Sequence, residues 1–357
     1  MSGPRLEIDL AAVTHNTRTL VSQLEPLGIG VTGITKASLG SPGVAAAMLR
    51  GGATGLGDSR IENLARLRAG GVPTTTTLIR SPMVSQAALV VRDADVSLNT
   101  EAAVIDSLAV AALSLGTTHS VVVMVELGDL REGVPVADVV ALCRHVVNAP
   151  GVELAGLGTN LACQSGVAPD QLKMDELSQL VEKVESACDL GLTIISGGNS
   201  ANLDWALSTA DPGRINDLRL GESILLGTEP LHRRVLDGLR TDAFSLVAEV
   251  IEVKTKPALP WGDTAQAAFG NPPDRRDGEL VRQAIVALGR QDTDPDGLTP
   301  PAGITILGMS SDHLVLDVGD HAVSVGDELA FGLGYAALLR SSTSPFVTKL
   351  EVDAGLP

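Results

Sequence analysis

The chain has 357 residues, 44% of them hydrophobic, and a net charge of −17, enough length for one large α/β domain and a second smaller one. The acidic balance sets the surface against nucleic acid and anionic membranes, so neither is expected as a partner. Positions 1–10 lack an apolar signal core and no run of about 18 uninterrupted apolar residues suggests a spanning helix, so a cytoplasmic protein is expected.

In chain order, short apolar strand candidates alternate with Ala- and Leu-rich helical stretches over the first two thirds, which is the pattern of a βα repeat with a parallel sheet. Strands are predicted near Val31 to Thr35, Gly55 to Asp58, Thr76 to Arg80, Val96 to Leu98, Ser120 to Glu126, Leu154 to Gly158, Thr193 to Ser196 and Leu218 to Leu220. Helical periodicity falls over Pro42 to Arg50, Ser59 to Ala69, Glu101 to Leu115, Val136 to Asn148 and Pro169 to Leu190. Eight such units predict a closed (β/α)8 barrel over residues 1–238.

From 239 to 357 the texture changes. Phe244 to Lys254, Gly303 to Leu307, His313 to Val318 and Asp327 to Leu333 are short β-branched segments between Gly, Pro and Asp, and they predict a mostly antiparallel β domain. Pro257 to Arg276 is read as a loop. Cys143, Cys163 and Cys188 are odd in number and widely spaced, fitting neither a disulfide framework nor a metal knuckle, so three reduced thiols are expected.

A βα barrel keeps its chemistry at the C-terminal ends of its strands. Lys36 follows the first predicted strand. An amine desolvated at such a place loses its proton more readily and becomes nucleophilic enough to form a Schiff base with a carbonyl. A strand-end lysine that merely snorkels is the alternative. Ser196-Gly197-Gly198-Asn199-Ser200 has the composition of an anion nest, since two glycines let backbone N–H groups converge and Ser200 adds a hydroxyl, although plain βα loops share this composition. Gly221, after the last strand, has the same ambiguity. A Schiff-base lysine with a phosphate nest suggests pyridoxal phosphate. Arg219 then gains a meaning beyond a surface ion pair: an arginine facing the pyridine nitrogen keeps it unprotonated and limits the electron sink, which favours reprotonation of the α-carbon.

These motifs, together with Asp58-Ser59-Arg60-Ile61-Glu62-Asn63, Leu127 to Gly133, Gly158-Thr159-Asn160-Leu161, Ala287 to Asp292 and Ser310-Ser311-Asp312-His313, resemble the ornithine racemase branch of the alanine racemase-like, fold-type-III pyridoxal-phosphate enzymes over nearly the whole chain. The resemblance implies a cofactor-binding barrel, a C-terminal β domain and a head-to-tail homodimer in which each β domain completes its partner's site. It implies that Lys36 holds the cofactor and serves as one base. Arg131 would lie beside the phenolic oxygen, Asn160 near the ring, and Ser196, Gly197, Asn199, Ser200 and the Gly221 and Glu222 backbone at the phosphate. Arg219 would lie at the pyridine nitrogen, and Asp312 on the substrate side.

Three departures matter. Ala268-Phe269-Gly270 stands where alanine racemases carry a catalytic tyrosine, so Tyr335, Asp312 or His313 is left to supply the second proton. Leu39 occupies the place of the phosphate-side tyrosine. Gln266-Ala267-Ala268 is neutral where the ornithine-type pattern has an acid, leaving Asp312, Glu132 and Asp263 as partners for a cationic side chain. The expected activity is racemisation of ornithine or a similar basic amino acid through an external aldimine. The alternatives are another fold-type-III reaction (decarboxylase, aldolase or dehydratase) or a non-catalytic cofactor carrier. Metal-assisted dehydratases and aldolases need a His/Cys ligand pair in the β domain, where His313 and His321 have no obvious partner, so no metal is expected.

Overall fold

The computed structural model describes residues 3–263, 265–269 and 280–353, so Gly270 and the predicted loop beyond it to Arg276 lie outside the described residues. Two compact units divide the chain: one is Ala12–Thr241, and the other joins the residues up to Ala11 to those from Asp242 onward.

In the second unit β1 (Arg5–Asp9) opens the chain, and in the first unit α1 (Leu10–Leu24) leads into the barrel. Eight parallel strands follow: β2 (Gly30–Ile34), β3 (Gly55–Asp58), β4 (Thr76–Leu78), β5 (Val96–Asn99), β6 (His119–Val125), β7 (Val152–Thr159), β8 (Ile194–Ser196) and β9 (Asp217–Leu220). They close in that order, with Thr32 of β2 level with Gly55 of β3 on one side and Arg219 of β9 on the other. The helices outside are α2 (Pro42–Arg50), α3 (Ile61–Ala69), α4 (Ala87–Asp93), α5 (Ala102–Leu115), α6 (Val139–Asn148), α7 (Gln171–Cys188), α8 (Leu203–Ser208) and α9 (Glu222–Leu226).

Local chemistry explains these boundaries. Ser41 caps α2 by accepting from the Val44 amide at 3.1 Å, with Pro42 at the first helical position. Asp170 does the same for α7 through the Lys173 amide at 2.9 Å, and that helix buries Met174, Leu177, Leu180, Val181 and Val184 along one stripe. Strand approach is close where glycines fall: a β-carbon on Gly156 would sit 1.8 Å from the Ile194 carbonyl oxygen.

The other unit holds an eight-stranded sheet. Its strands after β1 are β10 (Phe244–Pro257), β11 (Leu280–Val286), β12 (Leu298–Thr299), β13 (Thr305–Met309), β14 (Leu314–Asp317), β15 (Glu328–Leu333) and β16 (Thr348–Val352), with α10 (Tyr335–Thr343) before the last. The main path runs β12-β15-β10-β11-β14-β13, all antiparallel, while β1 pairs antiparallel with β10 and parallel with β16. The sequence reading keeps residues 1–238 together, but the opening strand sits in this sheet. The reason is apolar burial: Leu6 and Ile8 are only 1% and 2% exposed and pair with the buried Leu246 and Phe244 of β10. No helix among the described residues is long and apolar enough to cross a membrane.

Candidate active site

At the C-terminal end of β2, Thr35 passes its amide to the Gly57 carbonyl at 2.9 Å and its hydroxyl to Asp58 Oδ2 at 2.8 Å. Lys36 comes next, half-buried, at the start of a single tight turn that ends with Leu39 in the left-handed region at φ 54°. Gly40 continues at φ 62°, and a β-carbon there would lie 2.8 Å from the Asn63 backbone, so glycine is required. Two carboxyl groups feel the Lys36 charge. Burial raises the pKa of Asp58, opposed by hydrogen bonds from Arg60, Asn63 and Thr35 and by Lys36. Burial also raises that of Glu222, opposed by Arg233, its ion-pair partner, and by Lys36.

Across the rim, Arg219 is 5% exposed. It donates to the Ser196 hydroxyl, to the Thr159 carbonyl at 2.7 Å and to Asn160 Oδ1 at 3.4 Å. Burial pulls its pKa down, while Asp217 pushes it up. Asn199 knits two loops together, donating to Asn160 Oδ1 at 3.0 Å, the Leu161 carbonyl at 2.8 Å and Cys163 Sγ at 3.4 Å. Its own Oδ1 accepts from the Ala201 amide at 2.8 Å. Gly197 donates its amide to the Asp217 carbonyl at 3.0 Å. Gly198 adopts φ 144°, and a β-carbon there would meet Asn202 Oδ1 at 2.1 Å. The hydroxyls of Ser200 and Ser223 meet at 3.0 Å, which draws the last two βα loops together, and Gly221 lies where a β-carbon would come within 3.1 Å of Ile34.

Arg131 is held in an ion pair with Glu132, Nη2 to Oε1 at 2.6 Å. Burial lowers its pKa, but Glu132 and Cys163 outweigh that and leave it raised. The loop behind it is fixed by Asp129, 1% exposed, which accepts from the amides of Gln164 at 3.1 Å and Ser165 at 3.0 Å. Two buried polar atoms on this unit have no protein partner among the described residues, Asn160 Nδ2 and Asn99 Oδ1.

Lys36, Arg131, Asn160, Ser196, Gly197, Asn199, Ser200, Arg219, Gly221 and Glu222 all belong to the barrel unit, on or just beyond strand ends. Tyr335, Asp312 and His313 belong to the β unit. Tyr335 is the half-buried first residue of α10. Asp312 and His313 are exposed in the turn between β13 and β14, where Asp312 accepts from Gln291 Nε2 and, at 2.6 Å, from the Ser311 hydroxyl. Phe269 carries the Arg290 guanidinium over its ring at 5.1 Å. Sequence reasoning passes over Ser223, Cys163 and Asp217; contacts with neighbouring loops and strands, and no local motif, join them to these residues.

Fold and site together define a (β/α)8-barrel protein with an appended antiparallel β unit and a lysine at the barrel rim. The same fold is seen in alanine racemase from Streptomyces lavendulae, at a TM-score of 0.79 and 22% identity over 100% of this chain and 98% of that one. Residues 8–230 match the alanine racemase N-terminal domain, and the chain belongs to that family. It is 37% identical over 353 residues to a lysine racemase of Thermotoga maritima, covering 97% of this chain and 98% of the relative. To an ornithine racemase of Acetoanaerobium sticklandii it is 35% identical over 350 residues, covering 97% and 99%.

Proposed function

We propose that this chain is a pyridoxal-phosphate-dependent amino-acid racemase that interconverts the L and D forms of a basic amino acid, lysine or ornithine. The observation that carries the reading is Lys36 on the same barrel rim as the buried Arg219. Its support is that relatives named lysine racemase and ornithine racemase align almost end to end with this chain.

The rim fits the cofactor. Asn160 Nδ2 and Asn99 Oδ1 are buried without a protein partner among the described residues, a state that costs about 1–3 kcal/mol per group unless something bound there satisfies it. A β-carbon at Gly198 would meet Asn202 Oδ1 at 2.1 Å, and one at Gly221 would crowd Ile34 at 3.1 Å. In this reading Lys36 holds the aldehyde carbon, Arg131 the phenolic oxygen and Asn160 the ring edge. The phosphate falls to the Ser196-to-Ser200 turn, the Ser200 hydroxyl and the Gly221 and Glu222 backbone, and the ring nitrogen to Arg219.

When bound, pyridoxal phosphate supplies the electron sink that acidifies the α-hydrogen of an amino acid attached to it. The chain's residues do the rest. Lys36 moves the proton on one face, and Tyr335, Asp312 or His313 supplies the carrier on the other. Arg219, a donor-only cation, would hold the ring-nitrogen end of the cofactor and offer it no proton. Asp312, Glu132 and Asp263 offer carboxylates to the distal ammonium of the substrate, and the net charge of −17 attracts such a cation. We also assign the working enzyme to a cytoplasmic head-to-tail homodimer, the assembly its family resemblance implies.

The test is inversion of L-lysine, L-ornithine and L-alanine by the purified chain with added pyridoxal phosphate, followed by chiral chromatography. Lysine or ornithine should invert fastest, and Lys36→Ala should lose the visible absorbance of the bound cofactor along with activity. A colourless wild-type protein that inverts none of the three would end this reading.

A further inference from the structure

Arg219 poses an electrostatic problem. A guanidinium 5% exposed requires compensation, since an isolated charge out of water is costly. Among the described residues no carboxylate lies within ion-pair distance of it; its direct acceptors are the neutral Ser196 hydroxyl, the Thr159 carbonyl and Asn160 Oδ1. The negative charge lies one step further away. Asp217, two residues earlier on β9 and so on the same face of the strand, accepts from the Ser196 hydroxyl through Oδ2. Its Oδ1 accepts from the Thr32 hydroxyl at 2.6 Å. A chain of hydrogen bonds therefore runs Arg219, Ser196, Asp217, Thr32 across β9, β8 and β2.

The barrel interior beneath is not filled. Barrels of this type are ordinarily packed inside with bulky branched side chains. Here Thr32 and Asn216, with Asp217 and Arg219, form the polar side of a cavity of about 290 Å³ whose wall is otherwise largely apolar, Val96 and Leu98 included. A carboxylate in direct contact would neutralise Arg219 locally, whereas a serine between them holds the guanidinium in place and leaves its charge directed at the rim.

We propose that Asp217 is a positioning residue of the racemase site, fixing Arg219 and supplying its counter-charge through the Ser196 hydroxyl. The consequence for catalysis rests on Arg219 meeting the cofactor ring as read above; the linkage itself does not. The experiment has two readouts. The first is the guanidinium Nε–Hε resonance of Arg219 in nitrogen-15-labelled protein without cofactor, assigned by its loss in Arg219→Lys. Asp217→Asn and Ser196→Ala should each move it and speed its hydrogen exchange roughly tenfold, the worth of about one hydrogen bond to a charged group. The double variant should do no more than either single one, and Ser196→Thr, which keeps the hydroxyl, should restore the wild-type signal. Should Asp217→Asn fail to fold, Ser196→Ala reads the same linkage from its other end. The second readout is kinetic: Asp217→Asn should lower kcat about tenfold with KM within about twofold. An Arg219 resonance untouched by Asp217→Asn, or effects that simply add in the double variant, would overturn the proposal. A wild-type protein that inverts no amino acid would refute the function while leaving the resonance to decide the linkage.

Discussion

The Thr35 hydroxyl donates to Asp58 Oδ2 at 2.8 Å, so the residue immediately before Lys36 is tied to the end of the neighbouring barrel strand. Asp58 is fully buried, and its Oδ1 takes the Arg60 amide at 2.9 Å and Asn63 Nδ2 at 3.0 Å. One carboxylate thus aims the lysine turn and starts α3. Asp58→Ala removes all three acceptor contacts and leaves buried donors, so a loss of about 2–4 kcal/mol in stability and weaker cofactor retention are expected. Asp58→Asn, which keeps one acceptor oxygen, should lose less. Urea denaturation and cofactor titration of the two variants measure this; equal losses would mean that shape, and not hydrogen bonding, sets the turn.

The barrel was legible because parallel strands buried on both faces read as apolar runs, and Val31 to Thr35 falls within a residue of Gly30–Ile34. Ala87–Asp93 was not legible as a helix, since Leu89-Val90-Val91 is an apolar run with no periodicity of its own. Arg5–Asp9 was invisible for another reason: its partners Phe244 to Val247 lie more than two hundred residues away, and five residues carry too little pattern. The same holds at the site. Lys36 and Arg219 stand out by following or ending strands, whereas Asp217 acquires a role only through Thr32, 185 residues distant, and Ser196.

The three cysteines should differ in reactivity. Burial pushes the Cys143 thiol up to about 12, and its side chain is inaccessible. Cys163 is exposed beside Asn199 and Arg131. Iodoacetamide should label Cys163 first and Cys143 only on unfolding. Bulk added at Cys163 crowds Asn199, so labelling should block cofactor loading, prior loading should protect, and Cys163→Ser should resist. Peptide mass spectrometry identifies the site; label on Cys143 in the folded protein would contradict the burial argument.

Separating the second proton carrier from a mere packing residue calls for solvent deuterium. Among Tyr335→Phe, Asp312→Asn and His313→Gln, the variant lacking the carrier should still exchange the α-hydrogen of one enantiomer through Lys36 while inversion falls by about 10²–10⁴. Nuclear magnetic resonance of the recovered amino acid reads both rates. If all three variants invert at the wild-type rate, the proton arrives by another route. Asp312→Asn should in addition raise KM for lysine and ornithine more than for alanine, if its carboxylate, held by Gln291 and Ser311, faces the distal ammonium.

His119 makes stability depend on pH. It opens β6 at 2% exposure, and burial lowers its pKa from 6.5 to about 4 against the weaker upward pull of Asp95 and Glu153. Its Nε2 meets the Ser97 hydroxyl at 2.8 Å, and that hydroxyl also accepts from Asn99 Nδ2 at 2.8 Å, so its own proton is left to donate to a neutral ring. Because the unfolded chain takes up this proton near 6.5 and the folded one only near 4, the contribution to stability is complete above 6.5 and is lost as pH falls from there to about 4. The loss amounts to about 3 kcal/mol at most. His119→Gln should flatten that part of the profile, measured as the urea midpoint at several pH values between about 4 and 7.5. An unchanged slope would assign the acid sensitivity to carboxylates instead.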